Sequence, residues 1–279
     1  MGRQIMETGS LQRVLTVLVL ALLVGCASIP SDIEPLPEQH ALPPATTGAL
    51  AQLERSLAAA KPESQSGFML LDLNADALNW RLALIDEAVS SLDLMYYLWY
   101  GDASGRLLLK RTIEAANRGV RVRLMVDDLL MLGVDRTLVA LEAHPNIDLR
   151  LFNPWRNRYA GRGLEFLARM GRLNSRMHDK LLIADNRAAI LGGRNIGDYY
   201  FGLSSSYNFH DLDVLGVGPV ARQASVMFDD FWNSSWTVSA AELPATADDA
   251  YVARSSKQLM EKLQAAQSLA GFPLEPKSW

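Results

Sequence analysis

The chain has 279 residues, 49% of them hydrophobic and 21% charged, with a net charge of −4. Those values exclude a disordered polymer and allow one sizeable core with appendages. The acidic balance argues against a protein that coats nucleic acid, and a basic set of six Lys and 21 Arg suits phosphate handling by planar forks.

In chain order, residues 1–13 carry Arg3 and Arg13, and residues 14–24 form a run that is apolar except for Thr16. The run is shorter than the ~20 residues that span a bilayer and has the length of a secretory core. Leu23-Val24-Gly25-Cys26 then resembles a bacterial lipobox, and Cys26 is the single cysteine. This predicts a lipoprotein signal peptide over 1–25 and lipidation of Cys26, each buried CH2 contributing about 0.8 kcal/mol to anchoring. Ala27 after the cysteine points to the periplasmic side of the outer membrane.

Residues 26–67, with Pro30, Pro35, Pro37, Pro43 and Pro44, read as a Pro-rich tether containing a short helix over 50–60. From residue 68 the pattern alternates. Helices are predicted over 75–90, 107–117, 135–143 and 219–232, the last with Pro219 at its first turn. Strands are predicted over 92–99, 120–126, 147–152, 180–184, 188–191 and 211–217, with a turn at Asp185-Asn186. Such alternation implies an α/β lobe over 68–239 with a largely covered sheet. Residues 240–279 read as a linker and helical tail, with a polar helix over 255–270.

Chemistry concentrates in Met177-His178-Asp179-Lys180 through Asp185, followed by Gly192-Gly193-Arg194-Asn195. On a strand, residues two apart share a face, so His178 and Lys180 aim at one site. An imidazole can attack phosphorus, and an ammonium beside it can hold the phosphoryl oxygens as charge builds up. Asp185 can orient one of these groups or close the turn. Gly193 lets backbone approach a phosphate, and Asn195 offers an amide donor. A shuffled chain of this composition would carry the motif with both glycines in roughly one case in 40,000. A metal site is not expected, since Lys is a poor ligand and no second His or Cys lies nearby in sequence.

The stretch resembles the phospholipase D superfamily signature, H-x-K-x4-D-x6-G-(G/S)-x-N. The context is similar to the bacterial cardiolipin synthase C type: residues 94–99, Gly119-Val120-Arg121-Val122-Arg123, Asp127-Asp128, Arg150 to Pro154, and Gly193 to Asp198 with Tyr200-Phe201. The resemblance implies a mixed sheet with helices on both faces, single-lobed here, and a cofactor-free phosphodiesterase or phosphatidyltransferase acting on phospholipids through a phosphohistidine. It makes His178 the nucleophile, Lys180 the phosphate clamp, Asp185 an orienting carboxylate and Asn195 a phosphate contact. An acidic residue on the following strand would orient the nucleophile, Asp211 first and Asp213 second. A nuclease of the same chemistry, or a silent phosphate-binding lipoprotein, are the alternatives.

The family's longer members carry two such motifs. The other histidines here, His40, His144 and His210, lack a lysine two residues later. The expectation is either an N-terminal half or two copies of the chain around a shared site. Residues 153–177 hold six Arg against Glu165, with Trp155, Tyr159, Leu164 and Phe166 interleaved. That loop is read as a rest for anionic lipid headgroups, or as solvated surface. Expected partners are a phospholipid substrate, the membrane surface, and the second half or second copy; no nucleic acid is expected.

Overall fold

The computed structural model describes residues 34–60, 64–131, 133–158 and 174–244, together with Ile29, Glu165, Leu167, Gly171, Arg172 and four positions between 254 and 261. The signal peptide, Cys26, Arg162, Arg169 and nearly all of the tail helix expected over 255–270 lie outside the described residues.

Among the described residues, eight strands form one mixed sheet. In chain order these are β1 (Gly67–Leu71), β2 (Ser91–Tyr96), β3 (Arg121–Asp127), β4 (Ile147–Phe152), β5 (Lys180–Ala184), β6 (Ala188–Gly192), β7 (Asp213–Val217) and β8 (Thr237–Ser239). Their spatial order is β1-β7-β6-β5-β2-β3-β4-β8. Only β2–β3 and β3–β4 pair in parallel; each is joined by a helical crossover, as parallel strands require. The β5–β6 hairpin turns on Asp185 and Asn186, both left-handed at φ 55° and 52°, a conformation that short polar side chains tolerate.

The central strands are covered on both sides, so their burial is nearly continuous. One face presents Leu94, Tyr96, Leu124, Val126, Leu149 and Leu182 to α2 (Asn74–Glu87), α3 (Ala103–Asn117) and α4 (Asp135–Glu142). The other presents Met95, Met125, Leu181 and Ile183 to α5 (Pro219–Trp232), whose Ala221, Ala224, Phe228 and Trp232 form its buried stripe. A mixed sheet with helices on both faces is therefore present, as the sequence implied.

Three differences have physical causes. The segment expected to be a free tether is bound to the lobe where it is described. The Ala41 amide donates to Asp229 and that of Gln39 to Asn233, while carbonyls of Pro37, Gln39, Leu42 and Ala45 accept from Arg150, Arg123, Asn186 and Arg187. Proline forbids helix and ladder here but leaves carbonyls free, and side-chain donors of the lobe take them. Behind this strap, α1 (Ala49–Ala60) buries Leu50 and Ala51. Second, β1 and β8 are edge strands that the sequence reading did not mark; three residues of β8 carry too little pattern to detect. Third, β7 begins at Asp213, so Asp211 sits on the loop before it.

Candidate active site

The carboxyl ends of parallel β2, β3 and β4 meet the start of antiparallel β5, the end of β6 and the start of β7 at one edge of the sheet. Chain leaving a parallel strand there is free to build a site. Tyr97, Asp127-Asp128, Asn153, His178, Lys180, Gly193 and Asp211 are all brought to this edge.

His178 is exposed, whereas Lys180 is 6% exposed. The Lys180 Nζ lies 3.0 Å from His178 Nδ1 and also donates to the His178 carbonyl. His178 Nε2 makes no hydrogen bond among the described residues. Tyr97 walls the pair, its ring centroid 4.8 Å from the imidazole and 5.5 Å from the ammonium. Burial pushes the Lys180 ammonium down from its ordinary pKa, and the charges of Asp179 and Asp211 oppose that shift.

Asp127, which the sequence placed in the family-like context without a role, fixes the entry to the motif. Its buried carboxylate accepts from the Leu129 amide at 2.9 Å and the Met177 amide at 3.1 Å, and pairs with Arg176 at 3.1 Å. Burial raises its pKa to about 6 against the lowering effect of Arg176 and those amides. The available signal was its place at the end of a parallel strand. Its neighbour Asp128 is paired with Arg158, which also holds Asp135.

Several expected roles change. Asp185 lies at the opposite end of β5, about 16 Å from Lys180 at ~3.3 Å per residue. It is fully buried, and its carboxylate accepts the amides of Val89, Ser90 and Ser91 at 3.1, 2.7 and 3.1 Å. It closes the turn and cannot orient His178. Asn195 does not face open space: Oδ1 accepts from the Leu98 amide at 3.0 Å, and Nδ2 donates to the Tyr200 hydroxyl at 2.9 Å. Gly193 is small for a different reason than phosphate approach, because a Cβ there would come 2.0 Å from Asp211 Oδ1. Asp211 thus packs on Gly193, where its charge reaches Lys180, and no contact joins it to His178 among the described residues. Asp213, the second candidate, is buried between Arg81 at 2.9 Å and Arg194 at 3.2 Å.

The residues after the glycines form a brace. Arg194 donates to the Leu71 and Asp72 carbonyls, Ile196 exchanges backbone bonds with Leu98 and Tyr100, and Asp198 accepts the Ser104 amide at the start of α3. The basic loop is also less free than its composition suggested. Arg158 is buried and paired, Arg176 is held by Asp127 beside Trp155, Arg172 lies over the Trp236 ring, and Glu165 accepts the Arg156 and Asn157 amides. No group of three or more His, Cys, Asp or Glu is placed to hold a metal among the described residues, and no described helix is long and apolar enough to cross a membrane.

The paired His178 imidazole and Lys180 ammonium stand at the open end of a mixed α/β sheet. Residues 82–232 match the family described as cardiolipin synthase, PLD-like domain, and the chain belongs to that family. It is 44% identical over 168 residues to cardiolipin synthase C of Escherichia coli (strain K12), a match spanning 60% of this chain and 35% of that protein. It is 42% identical over 168 residues to an uncharacterised Helicobacter pylori (strain J99) protein, covering 60% and 34% of the two. The chain therefore spans about a third of the length of these relatives. Among solved structures, NucT from Helicobacter pylori aligns with a TM-score of 0.46 at 18% identity, covering 61% of this chain and 98% of that one.

Proposed function

We propose that this chain is the nucleophilic lobe of a phospholipid phosphodiesterase or phosphatidyltransferase, cardiolipin synthase-like in its chemistry. The observation that carries it is the His178–Lys180 pair, an exposed imidazole whose Nδ1 is 3.0 Å from a buried lysine. The identity with cardiolipin synthase C across this lobe supports a lipid rather than a nucleic-acid substrate.

The residues act as follows in this reading. An incoming phosphodiester draws the Lys180 ammonium onto its non-bridging oxygens, freeing Nδ1 to hold the ring proton. The Nε2 lone pair attacks phosphorus, the N–P bond forms, and the bond to the leaving alkoxide breaks. Lys180 stabilises the charge that grows on the equatorial oxygens. Tyr97 limits the tilt of the imidazole from one side. The alkoxide must take a proton, which in this reading comes from a second motif-bearing half or from a second copy of the chain. An alcohol or water then displaces the phosphoryl group from His178. A lipidated Cys26 would hold this exposed face near its substrate.

The test is to incubate the chain, alone and with the remaining half, with phosphate-labelled phosphatidylglycerol vesicles and with labelled single-stranded DNA. Alkaline quenching preserves phosphohistidine, and mass spectrometry locates the label. Lipid phosphate on His178, lost in His178→Ala, is the expected result. DNA turnover without lipid turnover, or label on another residue type, overturns it.

A further inference from the structure

A second hollow opens beside the phosphate site, and nothing in the reaction described above uses it. It is a cavity of about 120 Å3 between α3, α4 and the sheet, with Trp99, Tyr100, Val126, Met131, Val134 and Leu138 in its lining. Arg106 is the one charged side chain among the described residues that line it. Its position follows from register. Val126 pairs with Tyr96, and Tyr96 pairs with Lys180, so the three lie in one row across β3, β2 and β5. Directly paired residues share a face, and two strand spacings of ~4.8 Å put Val126 about 10 Å from Lys180. Val126 in the cavity lining and Lys180 therefore lie on the same side of the sheet, in one row with the buried Tyr96 between them. Its mouth is apolar too: Val134 is 40% exposed and Leu130, beside Met131, is 44% exposed.

We infer that this cavity takes a segment of an acyl chain of the lipid whose phosphate sits at His178 and Lys180. The inference rests on the proposed lipid substrate and deepens it. Three observations select a chain over other occupants. The lining offers almost no hydrogen-bonding groups, whereas a nucleobase needs partners for its polar edge. The volume admits about four methylene-sized groups at roughly 30 Å3 each, too few atoms for a helix or a strand of a partner. The distance from Lys180 is spanned by a glycerol backbone and the first part of a chain. Aliphatic side chains left exposed at the mouth are then covered once the chain enters.

The test compares water-soluble phosphatidylglycerols of increasing chain length, below their micelle concentrations, with glycerophosphoglycerol as a headgroup-only probe. Binding to the purified chain is followed by calorimetry. Affinity should rise about fourfold per methylene that enters the cavity and flatten after roughly four. Val134 is the N-cap of α4 and makes no side-chain cap bond, so Val134→Asp supplies a cap while placing a charge at the mouth. That variant should bind glycerophosphoglycerol as the parent does and lose the chain-length gain, whereas Val134→Leu should keep it. A flat series in the parent, or an unchanged gain in Val134→Asp, overturns the acyl cavity. If in that case glycerophosphoglycerol still binds and Lys180→Ala abolishes its binding, the lipid phosphodiester reading survives alone. Failure of the parent to bind glycerophosphoglycerol removes both.

Discussion

Replacing Asp185 separates holding the fold from doing the chemistry. Its carboxylate accepts three backbone amides, those of Val89, Ser90 and Ser91, which link the end of α2 and the start of β2 to the β5–β6 turn. A hydrogen bond to a charged group contributes about 1.5–3 kcal/mol, and water replaces the lost acceptor more readily at the exposed Val89 than at the buried Ser91. Asp185→Ala should therefore cost about 3–5 kcal/mol, a large part of the ~5–15 kcal/mol of a typical domain. Asp185→Asn keeps an oxygen for Ser90 and Ser91 and should cost about 1–2 kcal/mol. Urea denaturation measures both, and phosphohistidine formation per folded molecule measures the chemistry. Asp185→Asn should label His178 at the parental rate, because the turn lies at the far end of β5. A variant that unfolds at the parental urea concentration yet fails to label His178 would refute this assignment and return Asp185 to the catalytic set.

Lys180→Ala should lower turnover by about 10^2–10^3-fold with little change in stability, since its charge is used at the phosphoryl oxygens; equal rates in steady-state assays would remove the clamp. The folded state holds a proton on Asp127 more tightly than the unfolded chain, its pKa standing at about 6 instead of 3.8. Its contribution is thus full at low pH and falls by about 3 kcal/mol as pH rises from about 4 through 6. Asp127→Asn should lack that slope in melting temperature against pH, and a matching slope would assign it to other groups. Gly193→Ala brings a Cβ within 2.0 Å of Asp211 Oδ1. It should slow turnover by about tenfold, ~1.4 kcal/mol, while the circular dichroism stays parental; unchanged kinetics would show that the placement of Asp211 is immaterial. Cells fed labelled palmitate should label the chain and leave Cys26→Ala unlabelled, and equal labelling would exclude lipidation there.

Sequence by itself determined the features that depend on local period and residue type. Alternating apolar patterns located α2 to α5 and six of the eight strands within a few residues, and the two-residue spacing of His178 and Lys180 put them on one face. It could not decide which partner each polar side chain meets, because many of those contacts cross long stretches of chain, 30 positions between Asp93 and Arg123 and 194 between Gln39 and Asn233. Asp185 and Asp211 look equally available in one dimension; folding sends the first to the turn beneath α2 and sets the second against Gly193 near Lys180. Asp127 gains its role only when β3 carries it beside Met177, 50 residues later. The proline-rich segment reads as a spacer because proline excludes regular structure, yet its carbonyls are what the buried Arg123 and Arg150 require. Spacing fixes the direction of a side chain relative to its own strand, and only tertiary packing fixes what stands opposite.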